Sequence, residues 1–238
     1  MTGTGPTAYD VVDHYDDAYF RDLAQRYSTR NRFARRRIQN VFSLLPPLEG
    51  QRVIDLGCGM GTFTLEAAKK GARAVGLDFA PAALRVARSV AAQEGQADAR
   101  FVQGDAARLP FASGCADIVV AADVTEHLDD DTLRRVLDEV RRVLRPGGSF
   151  ILYTPSPTHL FEQLRMRGIL LPPEPSHIGM RTADALRAAI EACGLVTRRV
   201  DYLPSHLPLF SLLERALGRW IPLLRRRIGI VASKPGVP

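Results

Sequence analysis

Cysteine is scarce: 238 residues hold three, Cys58, Cys115 and Cys193. Their separations of 57 and 78 positions match no zinc, iron–sulfur or disulfide spacing, so no metal centre is expected and all three read as ordinary intracellular thiols. Long apolar runs are missing too. The longest are strand-sized, so no bilayer-spanning helix is expected. The start, MTGTGPTAYDVVDHYDD, is polar and acidic where an export signal needs a basic and then an apolar stretch, and a cytoplasmic protein is expected. Lysine supplies only three of the 32 basic residues, arginine the other 29. The net charge of +6 permits a nucleic acid or an anionic membrane surface as partner, but the excess is mild for this length and disfavours nucleic acid. A composition 46% hydrophobic and 24% charged lets a chain of this size bury one good core.

Periodicity predicts an α/β fold. The first fifty residues read as helix, an extension or lid over a domain at 51–238. Seven arginines fall between Arg21 and Arg37, and Pro46 and Pro47 end the helix. From Arg52 short apolar runs alternate with amphipathic stretches, as parallel strands joined by crossover helices do. Strands are expected at 52–56, 74–78, 99–103, 117–122 and 149–154, with helices at 62–70, 81–92 and 132–143. Pro81 suits a first helical turn, and Pro146-Gly147-Gly148 predicts a turn before the fifth strand. Asp129, Asp130 and Asp131 read as a helix start, not a metal site. Beyond Thr154, Pro155, Pro157, Pro172, Pro173 and Pro175 predict an irregular, pocket-forming insertion at about 155–181. A helix at 182–193, a strand at 196–202, a second insertion at about 203–226 and a last strand at 227–233 complete the chain.

The residues that carry chemistry cluster at strand ends. Val53-Ile54-Asp55-Leu56-Gly57-Cys58-Gly59-Met60-Gly61-Thr62 is an apolar strand running into three glycines at every second position and then into a helix. Glycines admit a sharp turn and close approach of a ligand, and a helix start favours anionic groups. The spacing is one residue short of the dinucleotide pattern, and the acid before the first glycine suits a cationic ligand end. Asp78 ends the next strand, 21 positions after Gly57, where an acid binds both hydroxyls of a ribose. Gly104-Asp105-Ala106 follows the third strand and offers a carboxylate and an amide to the edge of an adenine ring.

These blocks, VIDLGCGMGTFT, VGLDFAPAAL, FVQGDAARLPF, ADIVVAADVTEHL and VLRPGGSFIL, resemble the class I S-adenosylmethionine-dependent methyltransferases over 52–152. The resemblance implies a Rossmann-like, doubly wound, seven-stranded sheet with an antiparallel last strand. It also implies that Asp55, Gly57 and Gly59, with Cys58 and Gly61 in the same loop, hold the methionine part of the cofactor. Asp78 would meet the ribose, Asp105 and Ala106 the adenine, and the Ala122 backbone the methionine amino group, with Phe79 a further cofactor-binding residue. Glu126-His127-Leu128 and His177-Ile178-Gly179-Met180-Arg181-Thr182 resemble the small-molecule branch that includes ubiquinone and menaquinone biosynthesis enzymes.

The expected reaction is methyl transfer from S-adenosylmethionine to a small, lipophilic acceptor, oxygen favoured over nitrogen or carbon, with S-adenosylhomocysteine as product. His127 is the candidate general base, because an imidazole titrates near neutral pH. His177, Tyr15 and Tyr19 are candidate acceptor contacts, and with His14 the two tyrosines would form a lid. The stretch 207–227 predicts either a helix covering the sheet edge or pocket, or a peripheral contact with an anionic membrane, Trp220 at the interface and Arg225 to Arg227 on headgroups. No Asn-Pro-Pro-Tyr, Asp-Pro-Pro-Tyr or Pro-Cys motif follows the fourth strand, which lowers DNA and protein substrates. Two other readings stay open: an RNA- or protein-modifying enzyme docking through Arg21 to Arg37, and a noncatalytic cofactor-binding scaffold.

Overall fold

The computed structural model describes Phe20, Gln25 and residues 31–96, 99–169, 172, 174–218 and 220–236. Seven strands form one sheet: β1 (Arg52–Leu56), β2 (Arg73–Asp78), β3 (Arg100–Gln103), β4 (Ala116–Ala122), β5 (Leu144–Pro155), β6 (Val196–Leu203) and β7 (Arg227–Ser233), in the order 3-2-1-4-5-7-6. The pairs from β3 across to β5 are parallel, and β7 runs antiparallel to both β5 and β6. The described helices are α1 (Arg32–Phe42), α2 (Thr62–Ala68), α3 (Pro81–Gln93), α4 (Asp130–Val143), α5 (Leu160–Met166), α6 (Ala183–Ala192) and α7 (Pro208–Leu217).

The two-residue period of the strands feeds two cores. Val53, Ile118, Val120, Ile151 and Tyr153 face one side with Val41 and Leu44. Their strand neighbours Ile54, Val119, Ala121, Phe150 and Leu152 face the other, under Leu133, Val136, Leu137 and Val140 of α4 and Leu186 and Ile190 of α6. Apolar residues on both faces are what a sheet covered on both sides by crossover helices requires. Asp129 caps α4 by accepting a hydrogen bond from Thr132 N–H (2.7 Å), so the acidic run serves the helix start.

Three elements differ from the sequence reading. Strand β5 begins at Leu144, not 149. Leu144 pairs with Ala116, and the register shifts before Ile118 meets Ser149, so Pro146-Gly147-Gly148 is an irregularity within the strand. Backbone bonds between Gly147 and Lys234 and between Lys234 and Gly148 (both 2.9 Å) hold it there. The insertion after Thr154 contains the two-turn helix α5, whose buried residue is Glu162, an inverted pattern that periodicity does not detect. The predicted N-terminal helix is described from Arg32, where Asn31 accepts a bond from Ala34 N–H (2.9 Å); its earlier part, with His14, Tyr15 and Tyr19, lies outside the described residues.

Candidate active site

The strand order reverses between β1 and β4, and open α/β sheets bind ligands in the crevice beyond the carboxyl ends at such a point. Parallel register aligns those ends: Leu56 lies opposite Leu77 and Ala121, and Asp78 opposite Gln103. Asp105, Asp78, the glycine loop and Ala122 therefore follow one another along a single edge.

The loop after β1 uses left-handed backbone at Gly57, Gly59 and Gly61, with φ of 60°, 53° and 84°. A Cβ on Gly57 would stand 2.7 Å from Val124 Cγ2, so only glycine lets the loop close on the segment after β4. Asp55 lies behind the loop. One of its carboxylate oxygens accepts from both Thr64 N–H (3.0 Å) and Thr64 Oγ1 (2.7 Å), which ties β1 to α2, and burial pushes its pKa up to about 6. Cys58 is buried, and that burial pushes its thiol well above the ordinary range, which keeps it in the protonated form.

Asp78 is also buried. Its Oδ2 accepts from Gly59 N–H (2.8 Å) and its Oδ1 from Ala80 N–H (2.9 Å). Burial raises its pKa against those amides. Each oxygen keeps a second lone pair, so the carboxylate fits two adjacent hydroxyls. Phe79 beside it is 48% exposed. Asp105 is exposed and accepts from Ala107 N–H (2.8 Å), and Ala106 is half-buried. These features fit an adenosine, and the narrow glycine loop fits its sulfonium-bearing tail. Phe20, 5% exposed, packs with Cys58, Met60 and Ala80 and lies 3.7 Å from where a Gly59 Cβ would be, so this one side chain rests against the loop.

On the other side of the reversal, Ala122 is buried and Asp123 takes φ of 58°, uncommon for a residue with a side chain. Arg37 of α1 (2.5 Å) and Arg227 of β7 (2.6 Å) clamp its carboxylate, and although burial works upward, the two guanidiniums hold its pKa below the ordinary value. A 3-10 turn over Thr125–His127 follows. Glu126 is 2% exposed and accepts from Thr154 Oγ1 (2.9 Å); burial, then the nearby Asp123 charge, push its pKa up to about 8.

The two short motifs singled out from the sequence dock on each other. Gly179 N–H donates to Glu126 O (2.8 Å), and Arg181 donates to Thr125 O (3.0 Å) and Leu128 O (2.8 Å). His127 and His177 meet edge to face at 5.1 Å. His127 Nδ1 lies 3.0 Å from Ser176 O. A carbonyl only accepts, so Nδ1 carries the hydrogen and Nε2 is the basic nitrogen of the neutral ring. Burial lowers the pKa of His127 and of His177, so both rings are neutral at pH 7.

Glu126, His127 and His177 each bring a ligand-type atom within 4.8 Å of the others, an arrangement able to hold a cation that the sequence spacing did not predict. A cation would have to displace the Glu126 proton to bind there. Sequence reasoning also assigned no role at this site to Asp123 or Glu126, and placed Arg37 and Arg227 only in surface contacts. The acid beside the candidate base was a visible signal for Glu126, but the arginine clamp joins positions 86 and 104 residues apart and had none. Arg225 to Arg227, expected on membrane headgroups, turn inward instead. Arg225 stacks on Tyr202 at 4.5 Å, Arg226 pairs with Glu162 (3.0 Å) and Arg227 with Asp123.

Residues 53–148 match the family described as Methyltransferase domain. The fold, the glycine loop and the acids at successive strand ends define a cofactor-binding transferase, and the chain belongs to the class I S-adenosylmethionine-dependent methyltransferases. Within that class it is 33% identical over 155 residues to the demethylmenaquinone methyltransferase of Thermus thermophilus, covering 60% of this chain and 67% of that protein. It is 41% identical over 103 residues to an uncharacterized methyltransferase of Synechocystis sp., covering 43% of this chain and 46% of that protein. The chain thus spans about half of that relative's length. The S-adenosylmethionine dependent methyltransferase from Mesorhizobium loti shares the fold, with a TM-score of 0.63 at 18% identity over 82% of this chain and 96% of that one.

Proposed function

We propose that this chain transfers the methyl group of S-adenosylmethionine to an oxygen of a small, lipophilic acceptor, with His127 as general base and an N-terminal lid over the cofactor. S-adenosylmethionine supplies a methyl group already activated on a sulfonium. The chain's part is to line up the acceptor oxygen, exclude water and take a proton. Alignment is worth about 7 to 11 kcal/mol of barrier in well-oriented reactions, and a placed base adds roughly 10²- to 10⁴-fold.

The single observation that carries the base is the Ser176 carbonyl on His127 Nδ1, which presets the tautomer a base needs. Glu126, protonated below about pH 8, keeps the neighbourhood free of a second negative charge while a phenol ionises. His177 supports an acceptor contact through its ring packing on His127. The likeness to a demethylmenaquinone methyltransferase supports a lipophilic acceptor. Phe20 against the glycine loop supports the lid.

His127→Ala is the test. Calorimetry with S-adenosylhomocysteine should show unchanged affinity, while methyl transfer to phenolic quinone precursors falls at least a hundredfold and wild-type activity drops at acid pH as the imidazole takes up a proton. Unchanged turnover removes the base, and methylated carbon or nitrogen in the product removes the oxygen assignment.

A further inference from the structure

Among the described side chains of helix α7, the buried ones are polar and three leucines are exposed. Its buried face carries Ser211 and Glu214, and the Glu214 carboxylate accepts from Ser205 N–H (2.5 Å) and lies 3.3 Å from the buried His159 ring. Its outward face carries Leu212, Leu213 and Leu217. The chain then goes on to expose Trp220, Ile221 and Leu223, each of the six between 39% and 70% exposed. A helix at a water surface turns the other way, and six exposed large apolar side chains within positions 212–223 mark a contact surface.

Positive charge borders that stretch. Arg32, Arg35 and Arg36 of α1 and Arg215 of α7 line a groove of about 420 Å³ that also takes in His206 and Leu212. Among the described residues, none of the four arginines reaches a carboxylate. Burial and the positive charges of Arg226, Arg227 and Arg36 hold His206 below its ordinary pKa. A narrow cleft lined by Arg37, Tyr153 and Arg227 shares Arg36 and His206 with the groove, so this face opens beside the Asp123 end of the site.

We propose that α7, the 220–223 turn and the α1 arginines dock the protein on an anionic lipid bilayer, lipid phosphates sitting in the groove and the leucines and Trp220 in the interfacial layer. Charge complementarity commits the face to this occupant. RNA would engage the arginines and leave six apolar side chains in water. A second copy would set one arginine group against another. The proposal stands independently of the role of His127.

Trp220 is the sole tryptophan, which makes its emission a direct reporter. The full chain is to be pelleted with phosphatidylcholine vesicles, with or without about 30% phosphatidylglycerol, at low and high salt. Binding with a blue-shifted emission is expected on the anionic vesicles alone, and high salt should weaken it. Arg32→Gln/Arg35→Gln/Arg215→Gln should lower affinity by about a hundredfold, roughly fivefold per arginine. Leu212→Ser/Leu213→Ser should lower it by at least about tenfold. Both variants should keep the wild-type melting temperature and S-adenosylhomocysteine affinity, which separates lost docking from lost folding. Equal pelleting on neutral vesicles, or no binding at low salt, overturns the proposal. So does complete displacement by millimolar inorganic phosphate, which makes the groove a soluble-phosphate site. Salt-sensitive binding of single-stranded RNA without vesicle binding, or a dimer that shields Trp220 from acrylamide in buffer, overturns it in favour of those partners.

Discussion

Glu126→Gln should stabilise the protein in a way that grows with pH. In the folded chain the carboxyl is buried beside Asp123 with its pKa pushed up to about 8, against an ordinary value of 4.5. Between those values the native state keeps a proton that the unfolded chain has released, so stability is fully present below 4.5 and declines as pH rises through about 8. Each pH unit is worth 1.36 kcal/mol. From about pH 4.5 to 7.5 the wild type therefore loses about 4 kcal/mol through this group, a large share of the 5 to 15 kcal/mol typical of a folded domain. Glutamine has the shape of the protonated acid, keeps an oxygen for Thr154 Oγ1 and does not titrate. Asp55 and Asp78, raised in the same direction, contribute equally to both proteins and cancel in the difference. Urea unfolding at a series of pH values should show a stability gap between variant and wild type that widens by roughly 3 to 4 kcal/mol over that range. A gap that stays constant within about 1 kcal/mol refutes the buried, protonated Glu126.

Asp78→Ala should weaken binding of S-adenosylmethionine and its demethylated product by roughly 10²- to 10⁴-fold, since two hydrogen bonds to a charged group are lost at about 1.5 to 3 kcal/mol each; calorimetric affinity within threefold of wild type removes the ribose assignment. Gly61→Ala forces a side chain into left-handed backbone and sets a Cβ 2.8 Å from the Phe101 ring. Its unfolding free energy should fall by about 2 to 5 kcal/mol from backbone strain and overpacking together, and a loss below 1 kcal/mol sinks that reasoning. S-adenosylhomocysteine should slow proteolysis within the first forty residues, and Phe20→Ala should abolish the protection. Cleavage unaffected by the ligand counts against the lid.

Strands, glycine loop and strand-end acids were legible because their signals are local. A strand buried on both faces must be apolar throughout, a left-handed turn needs glycine, and parallel strands with short connections put their carboxyl ends on one edge. The resemblance of ADVTEHL and HIGMRT to one small-molecule branch was equally readable, but their contact was not, because Gly179 and Arg181 bond back across about fifty residues.

Hydrophobic period and residue type at fixed spacing were enough to read the doubly wound sheet from the chain and to nominate a cofactor edge and a candidate base. Tertiary structure alone decided which charges face water. Arg225 to Arg227 look like a surface run, yet they stack on Tyr202 and pair with Glu162 and Asp123, while α7 buries Glu214 and exposes Leu212, Leu213 and Leu217. Composition cannot foresee this, because desolvating a charge is offset only when a distant chain segment brings the opposite charge within bonding distance.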